Sequence, residues 1–310
     1  MKVVLAAEES AGAQMLRALA QSEHQVVAVL TEPPKPGETR VSLWNAAQAL
    51  GFETLPADLV KNPSLADRLR SDAVDIFLNV HSLYVIQDDV LAAPRLGAFN
   101  LHPGPLPRYA GLNVVSWAIF RGEQNHGVTV HRIEPKIDAG PIAYQSCFPI
   151  EQEDSALSLS FKCVREGITL LLRLLAAATA GESIPSLTQD LATRKYFGRE
   201  VPEGGRICWE WPASKVVNFV RACDYFPFDS PWGHPRARLG VQEVAVVKAR
   251  RTGRECHVSP GTIGDVTGSG VAVACGDEWI LATKLRLGGK CVPAQTLLKP
   301  GDRLAEVEDC

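Results

Sequence analysis

The stretch "KVVLAAEESAGAQMLRALAQSEHQVVAVL", residues 2–30, places an apolar run, a polar turn, an amphipathic run and a second apolar run in succession. KVVLAA (Lys2–Ala7) is short, apolar and β-branched, as a buried strand is. GAQMLRALAQS puts Met15, Leu16 and Leu19 on one face of a helix, and QVVAVL, residues 25–30, reads as the next strand. Strand, helix, strand implies a crossover connection and therefore parallel pairing. The pattern repeats outward: VSLWNAAQALG (41–51) is a helix, VDIFLNV (74–80) a buried strand, and AFNL (98–101) a shorter strand. The expected fold is α/β, a Rossmann-like, mostly parallel sheet with flanking helices. The first loop, AEESAGAQ, opens a helix as a nucleotide-binding loop would, but it lacks the G-x-G-x-x-G spacing and supports no dinucleotide site.

Composition narrows the function. At 310 residues the chain has room for two domains, and 46% hydrophobic with 22% charged residues is ordinary for a folded soluble protein. A net charge of −3, from 32 basic and 35 acidic residues, leaves no general footprint for nucleic acid or an anionic membrane. The N-terminus meets acidic residues too early for a signal peptide, and no apolar stretch reaches a membrane span, so a cytoplasmic protein is expected. The eight cysteines have neither Cys-x-x-Cys pairs nor zinc-ligand spacing, and read as free thiols with no metal.

Chemistry concentrates in AFNLHPGPLPRYAGLN, residues 98–113. Asn100 and His102 stand at the carboxyl end of a strand, the usual ligand position of an open α/β sheet. An isolated Asn-x-His there more often caps a loop than catalyses. After the helix NVVSWAIFRGE and the alternating strand GVTVHRIE (127–134), the segment PKIDAGPI adds Asp138 in a loop between strands. Asp-Ala-Gly alone reads as a turn, with Gly140 letting another group approach closely.

FNLHPGPLPRYAG followed 38 positions from Asn100 by DAG strongly resembles the folate-dependent formyltransferases, a family that includes methionyl-tRNA, amino-sugar, glycinamide ribonucleotide and peptide-synthetase-associated members. The likeness extends over most of the chain and is densest at residues 97–140. It implies Asn100, His102 and Asp138 as catalytic residues and 10-formyltetrahydrofolate as formyl donor. Formyl transfer to an amine passes through a tetrahedral species whose oxygen becomes negative, so a donor such as the Asn100 amide is needed. His102 can polarise that oxygen and protonate the leaving folate nitrogen, and Asp138 can serve a proton relay. By the same resemblance Tyr84, Val85 and Ile86, from HSLYVIQDDVL, line the pterin slot, and Glu134, Pro135, Lys136, Ile137 and Asp138 form its opposite wall. Leu112 stands where some relatives place an arginine near the folate tail, and Arg108 and Tyr109 face the acceptor.

Beyond the catalytic half, Asp154-Ser155 cap a long helix ending near Gly181, QDLATRKYFGRE is a connector, and short Gly-punctuated strands suggest a small C-terminal β-barrel. The expected limits are a catalytic domain over 1–190, a connector over 191–205 and a barrel domain over 206–310. The early loop TEPPKPGETR is balanced in charge and KARRTGR reads as a solvated hairpin, which demotes a tRNA acceptor. The expected partner is a small-molecule amine or a carrier-protein-tethered acceptor, such as an amino acid, aminoacyl group or amino sugar. Phe226, Phe228, Trp232 and His234 either bound an acceptor groove or belong to a structural loop. Methionyl-tRNA formyl transfer, formyltetrahydrofolate hydrolysis and a catalytically silent binding protein stand as alternatives.

Overall fold

The structure, a computed structural model, describes residues 1–34 and 42–307. Lys35, Glu38 and Arg40, three of the charges balanced in the early loop, lie outside the described residues, as does Cys310. In chain order the first elements are β1 (Lys2–Ala7), α1 (Glu9–Ala20), β2 (Gln25–Thr31), α2 (Leu43–Ala49), β3 (Thr54–Pro56), α3 (Pro63–Ser71), β4 (Ile76–Val80), α4 (Asp88–Leu91) and β5 (Gly97–His102). The short β6 (Ala110–Gly111), α5 (Val114–Phe120), β7 (Asn125–Arg132), β8 (Ile142–Pro149) and the long α6 (Ala156–Thr179) follow. The chain forms two compact units. The first comprises Met1–Gly111, Gly127–Phe148 and Lys162–Tyr196; the second comprises Leu112–His126, Pro149–Phe161 and the chain from Phe197 onward.

The first unit is built on a seven-stranded sheet of order β3-β2-β1-β4-β5-β7-β8. Pairing is parallel from β3 to β5, as the strand-helix alternation predicts, and reverses at β7, which runs antiparallel to β5. β1 has no polar side chain after Lys2, and its residues from Val3 to Ala7 are fully buried because both sheet faces are covered. On one face Met15, Leu16 and Leu19 of α1 pack with Val164, Leu171, Leu174 and Leu175 of α6. Gly167 lets α6 approach β5, since a Cβ there would lie 2.6 Å from the Leu101 side chain. On the other face Leu65 and Leu69 of α3 and Val90 of α4 cover Phe77 and Ala98. The Ser155 hydroxyl accepts from the Ser158 backbone N–H at 3.3 Å, and Ser158 Oγ accepts from the Ser155 N–H at 3.0 Å, a reciprocal cap that starts α6 where the sequence places it.

The short β9 (Tyr196–Phe197) pairs with β6. In the second unit α7 (Ala213–Ala222) is followed by β10 (Arg236–Leu239), β11 (Gln242–Glu255), β12 (Ile263–Thr267), β13 (Gly270–Ala274), β14 (Glu278–Leu287), β15 (Lys290–Pro293) and β16 (Leu304–Ala305). These last seven strands form one curled antiparallel sheet of order β12-β13-β14-β11-β10-β16, with β15 on β14. Its two ends meet: Ile263 N–H donates to the Asp302 carbonyl at 2.9 Å, and Leu304 N–H to the Gly261 carbonyl at 2.8 Å. This curling agrees with the small barrel expected from the sequence. Trp232 is not the wall of a groove. It is 6% exposed and stacks edge-on against Trp117 at 5.0 Å, so its apolar area is spent on the interior of this unit. Phe226 and Phe228 are exposed and His234 is half-buried. Among the described residues no helix is long and apolar enough to cross a membrane.

Candidate active site

The candidate site lies wholly within the first unit, on the sheet face that carries α3 and α4. Register decides its core. Asn79 on β4 pairs with Asn100 on β5, and Asn100 pairs with His131 on β7. Directly opposed residues share a face, so three polar side chains form a row across three strands. His102, two residues beyond Asn100, falls on the same face opposite Thr129.

Asn100 is half-buried. Its Oδ1 accepts from Asn79 Nδ2 at 2.9 Å, and its Nδ2 lies 3.1 Å from His131 Nε2. His102 is 4% exposed, and its Nε2 is 2.6 Å from the Tyr109 carbonyl, so that nitrogen carries the hydrogen. The opposite ring nitrogen, Nδ1, faces Asp138 Oδ2 at 3.6 Å. Burial pushes the His102 pKa down, and the nearby Asp138 charge and Tyr109 carbonyl only partly restore it. At neutral pH the ring is therefore uncharged, with Nδ1 free to take a proton.

Asp138 reaches the site on a loop that returns to it. Because β7 is antiparallel, the chain leaves it beside the start of β5, where Ile133 N–H donates to the Ala98 carbonyl at 2.9 Å. The loop then folds back to bring Asp138 beside His102. Asp138 is buried with φ +53°, a left-handed conformation that an aspartate tolerates. Its Oδ2 accepts the Gly111 N–H at 2.8 Å, and Oδ1 lies 3.5 Å from His131 Nε2. Burial alone would raise its pKa, but His102, His131 and the Gly111 N–H together hold it well below the usual carboxylate range. Asp138 is ionised.

Sequence reasoning missed what holds this loop. The buried Gln189 donates from Nε2 to the carbonyls of Asp138, at 3.1 Å, and Gly140, at 2.6 Å, while Arg194 donates to the Ile137 carbonyl at 2.9 Å. Gln189 stands just before the connector expected over 191–205 and Arg194 within it, and nothing in their spacing announces the contact. A Cβ on Gly140 would stand 2.0 Å from the Arg132 carbonyl oxygen. Gly140→Ala should therefore displace the loop, lower stability by at least about 1–3 kcal/mol and reduce turnover. A urea titration and a rate measurement check it; a variant matching the parent in both would show that the close approach is not required.

The remaining expected residues are distributed as follows. Arg108 is exposed, whereas the Tyr109 ring is buried and the residue meets His102 through its carbonyl. Leu112 is half-buried and belongs to the second unit. Ile86 is buried under the sheet face, Val85 is 64% exposed beside Leu83 at 81%, and the Tyr84 hydroxyl donates to Glu32. Glu134, Pro135, Lys136 and Ile137 are exposed. Apolar side chains left in water on loops beside a polar, partly buried cluster fit a flat heteroaromatic ligand such as a pterin.

A buried imidazole, a carboxylate behind it and an oriented carboxamide are groups that can serve acyl transfer. Comparison with known proteins gives the class. Residues 1–175 match the family model for formyl transferase, and residues 201–300 match that for the formyl transferase C-terminal domain. The chain belongs to the formyl transferase family and is an enzyme of that family, a formyltransferase. Among solved structures, it is similar to the N-formyltransferase from Helicobacter canadensis in complex with folinic acid and dTDP-3-aminofucose. The identity is 18% and the TM-score 0.69, covering 91% of this chain and 98% of that one. It is also similar to WlaRD, a sugar 3N-formyltransferase solved with dTDP and 5-N-formyl-THF, at 20% identity and TM-score 0.70, covering 91% and 97% of the two chains. HypX from Aquifex aeolicus, in complex with tetrahydrofolic acid, matches at 19% identity and TM-score 0.61, over 96% of this chain and 46% of that one. At these identities the solved structures speak to the fold.

Proposed function

We propose that this enzyme transfers the formyl group of 10-formyltetrahydrofolate to the amine of a small acceptor: an amino acid, a carrier-tethered aminoacyl group or an amino sugar. The observation that carries the reading is the buried contact of neutral His102 with ionised Asp138 on the sheet face where Asn100 presents its amide. The folate supplies a formyl carbon on a nitrogen leaving group, and its oxygen gathers negative charge as the amine adds. Asn100 Nδ2 has two hydrogens, one directed at His131, which leaves the other for that oxygen. His102 Nδ1 takes the proton that the amine loses as the new C–N bond forms. The imidazolium so produced is steadied by Asp138 and by the Tyr109 carbonyl, and it returns the proton to the folate nitrogen as the old C–N bond breaks.

The folate is proposed to lie between Tyr84, Val85 and Ile86 on one side and residues 134–138 on the other, in keeping with the exposed Leu83, Val85 and Ile137. The folate-bound neighbours are consistent with that choice of donor. A small acceptor is favoured over tRNA by the acidic ends of β1 and β2. Glu8 accepts from Thr31 Oγ1 and the Glu32 N–H, and Glu9 faces His81 at 3.3 Å, which puts carboxylates where a phosphate backbone would be repelled. The sugar N-formyltransferase neighbours add amino sugars to the panel worth testing.

Isothermal titration with 5-formyltetrahydrofolate should show binding that weakens in Val85→Asp. Formylation rates on free and carrier-bound amino acids and on nucleotide-linked amino sugars should exceed the rate on methionyl-tRNA. No folate binding would refute the donor, and a clear preference for tRNA that declines steeply with salt would refute the acceptor class.

A further inference from the structure

We propose that Asn79 is a positioning residue for formyl transfer: it fixes which end of the Asn100 amide meets the formyl oxygen, through a directional chain of hydrogen bonds that ends at His131. The inference rests on the formyl-transfer reading of the site. Asn79 is the single polar side chain of β4, in a run whose other four residues are fully buried and apolar, and it is itself 9% exposed. Its Nδ2 donates to two oxygens, the Ser82 backbone carbonyl at 3.2 Å and Asn100 Oδ1 at 2.9 Å. A backbone carbonyl can only accept, so the Asn79 amide cannot be reversed without setting two oxygens against each other.

That constraint passes along the row. With Asn79 Nδ2 as donor, Asn100 must turn Oδ1 toward it and Nδ2 toward His131, so His131 Nε2 must be an acceptor. The far end agrees. His131 Nδ1 lies 2.8 Å from the Arg132 carbonyl, again an obligate acceptor, so Nδ1 carries the hydrogen, and Nε2, which faces Asp138 Oδ1 at 3.5 Å as well as Asn100, accepts from the Asn100 amide. Two backbone carbonyls, Ser82 and Arg132, bracket the chain, and only one set of donor directions satisfies both. With one Asn100 amide hydrogen held by His131, the second is fixed in direction and meets the formyl oxygen as a preoriented donor rather than one that must reorganise. Were Asn100 reversed, its carbonyl oxygen would face the developing negative charge.

Two substitutions separate this from a packing role. Asn79→Val keeps an apolar strand and removes the donor, leaving the orientation of Asn100 to His131 alone. Asn79→Asp replaces the donor with an acceptor and draws Asn100 Nδ2 away from the formyl oxygen. The expected kcat order is parent, then Val, then Asp. The aspartate variant should lose roughly 10²-fold or more, the scale of losing one oxyanion donor, with KM for the folate little changed. Nitrogen-15 NMR of labelled histidine supplies a readout independent of turnover. In the parent, His131, assigned by difference against His131→Asn, should carry its hydrogen on Nδ1; in Asn79→Asp it should gain one on Nε2, where the reversed Asn100 presents an oxygen. A parent His131 with its hydrogen on Nε2, or variants that retain parental kcat, would overturn the proposal. Failure of the parent to formylate any amine would instead count against the formyl-transfer reading, while the tautomer still reports on the chain of bonds.

Discussion

His102→Ala is expected to fold as the parent does and to lose turnover by roughly 10²–10⁴-fold, the contribution of a positioned acid–base group. The fold should survive because the ring is held by polar contacts, to the Tyr109 carbonyl and toward Asp138, and sits at the end of β5 rather than within either apolar cluster. In the parent, the acid limb of kcat/KM should fall below the ordinary histidine value of about 6.5, because burial pushes the His102 pKa down. The alanine variant should lack that limb. Near-parental formyl transfer by His102→Ala, with the limb intact, would remove His102 from the mechanism.

Asp138→Asn is expected to cost at least about 10²-fold in turnover and to alter the pH profile of what remains. The Asp138 charge raises the His102 pKa against burial and the neighbouring His131 and His81. Removing it lowers that pKa further, so the residual acid limb should move to lower pH. Stability supplies a second sign. The folded Asp138 pKa is depressed, so its contribution is present above its unfolded value of about 3.9 and fades as pH falls through the folded value. The advantage of the parent over Asp138→Asn in urea midpoint should therefore shrink as pH drops below about 4. An acid limb that moves upward would show that Asp138 does not act on His102 electrostatically.

The parts legible in the sequence were those with local causes. β1 and the start of β2 are continuous apolar runs, and the α6 cap is a Ser-x-x-Ser pattern that the two residues satisfy between themselves. Asn100, His102 and Asp138 were found through their joint spacing and the resemblance it carries. Asn79 was invisible because one asparagine in IFLNV reads as a strand interior, and only pairing register reveals its neighbour. His131 was hidden in the same way inside an alternating strand. The reversal of β7 follows from a connection that propensity does not record, and it is why Asp138 arrives by a returning loop. Gln189 acts across about fifty residues of chain through two carbonyls, which leave no mark in sequence. Trp232 stayed undecided in the sequence because an aromatic in a Pro-rich loop reads equally as wall or as core, and only its burial tells them apart.

The most direct test follows the formyl carbon itself. The enzyme would be incubated with 10-formyltetrahydrofolate labelled with carbon-13 in the formyl group, with and without an amine acceptor, and the label located by mass spectrometry. The expected result is label in the N-formyl group of the acceptor, stoichiometric with tetrahydrofolate released, dependent on the amine and lost in His102→Ala. Label recovered as formate at the same rate without any amine would make the protein a hydrolase, and label remaining on the folate under every condition would contradict formyl transfer at this site.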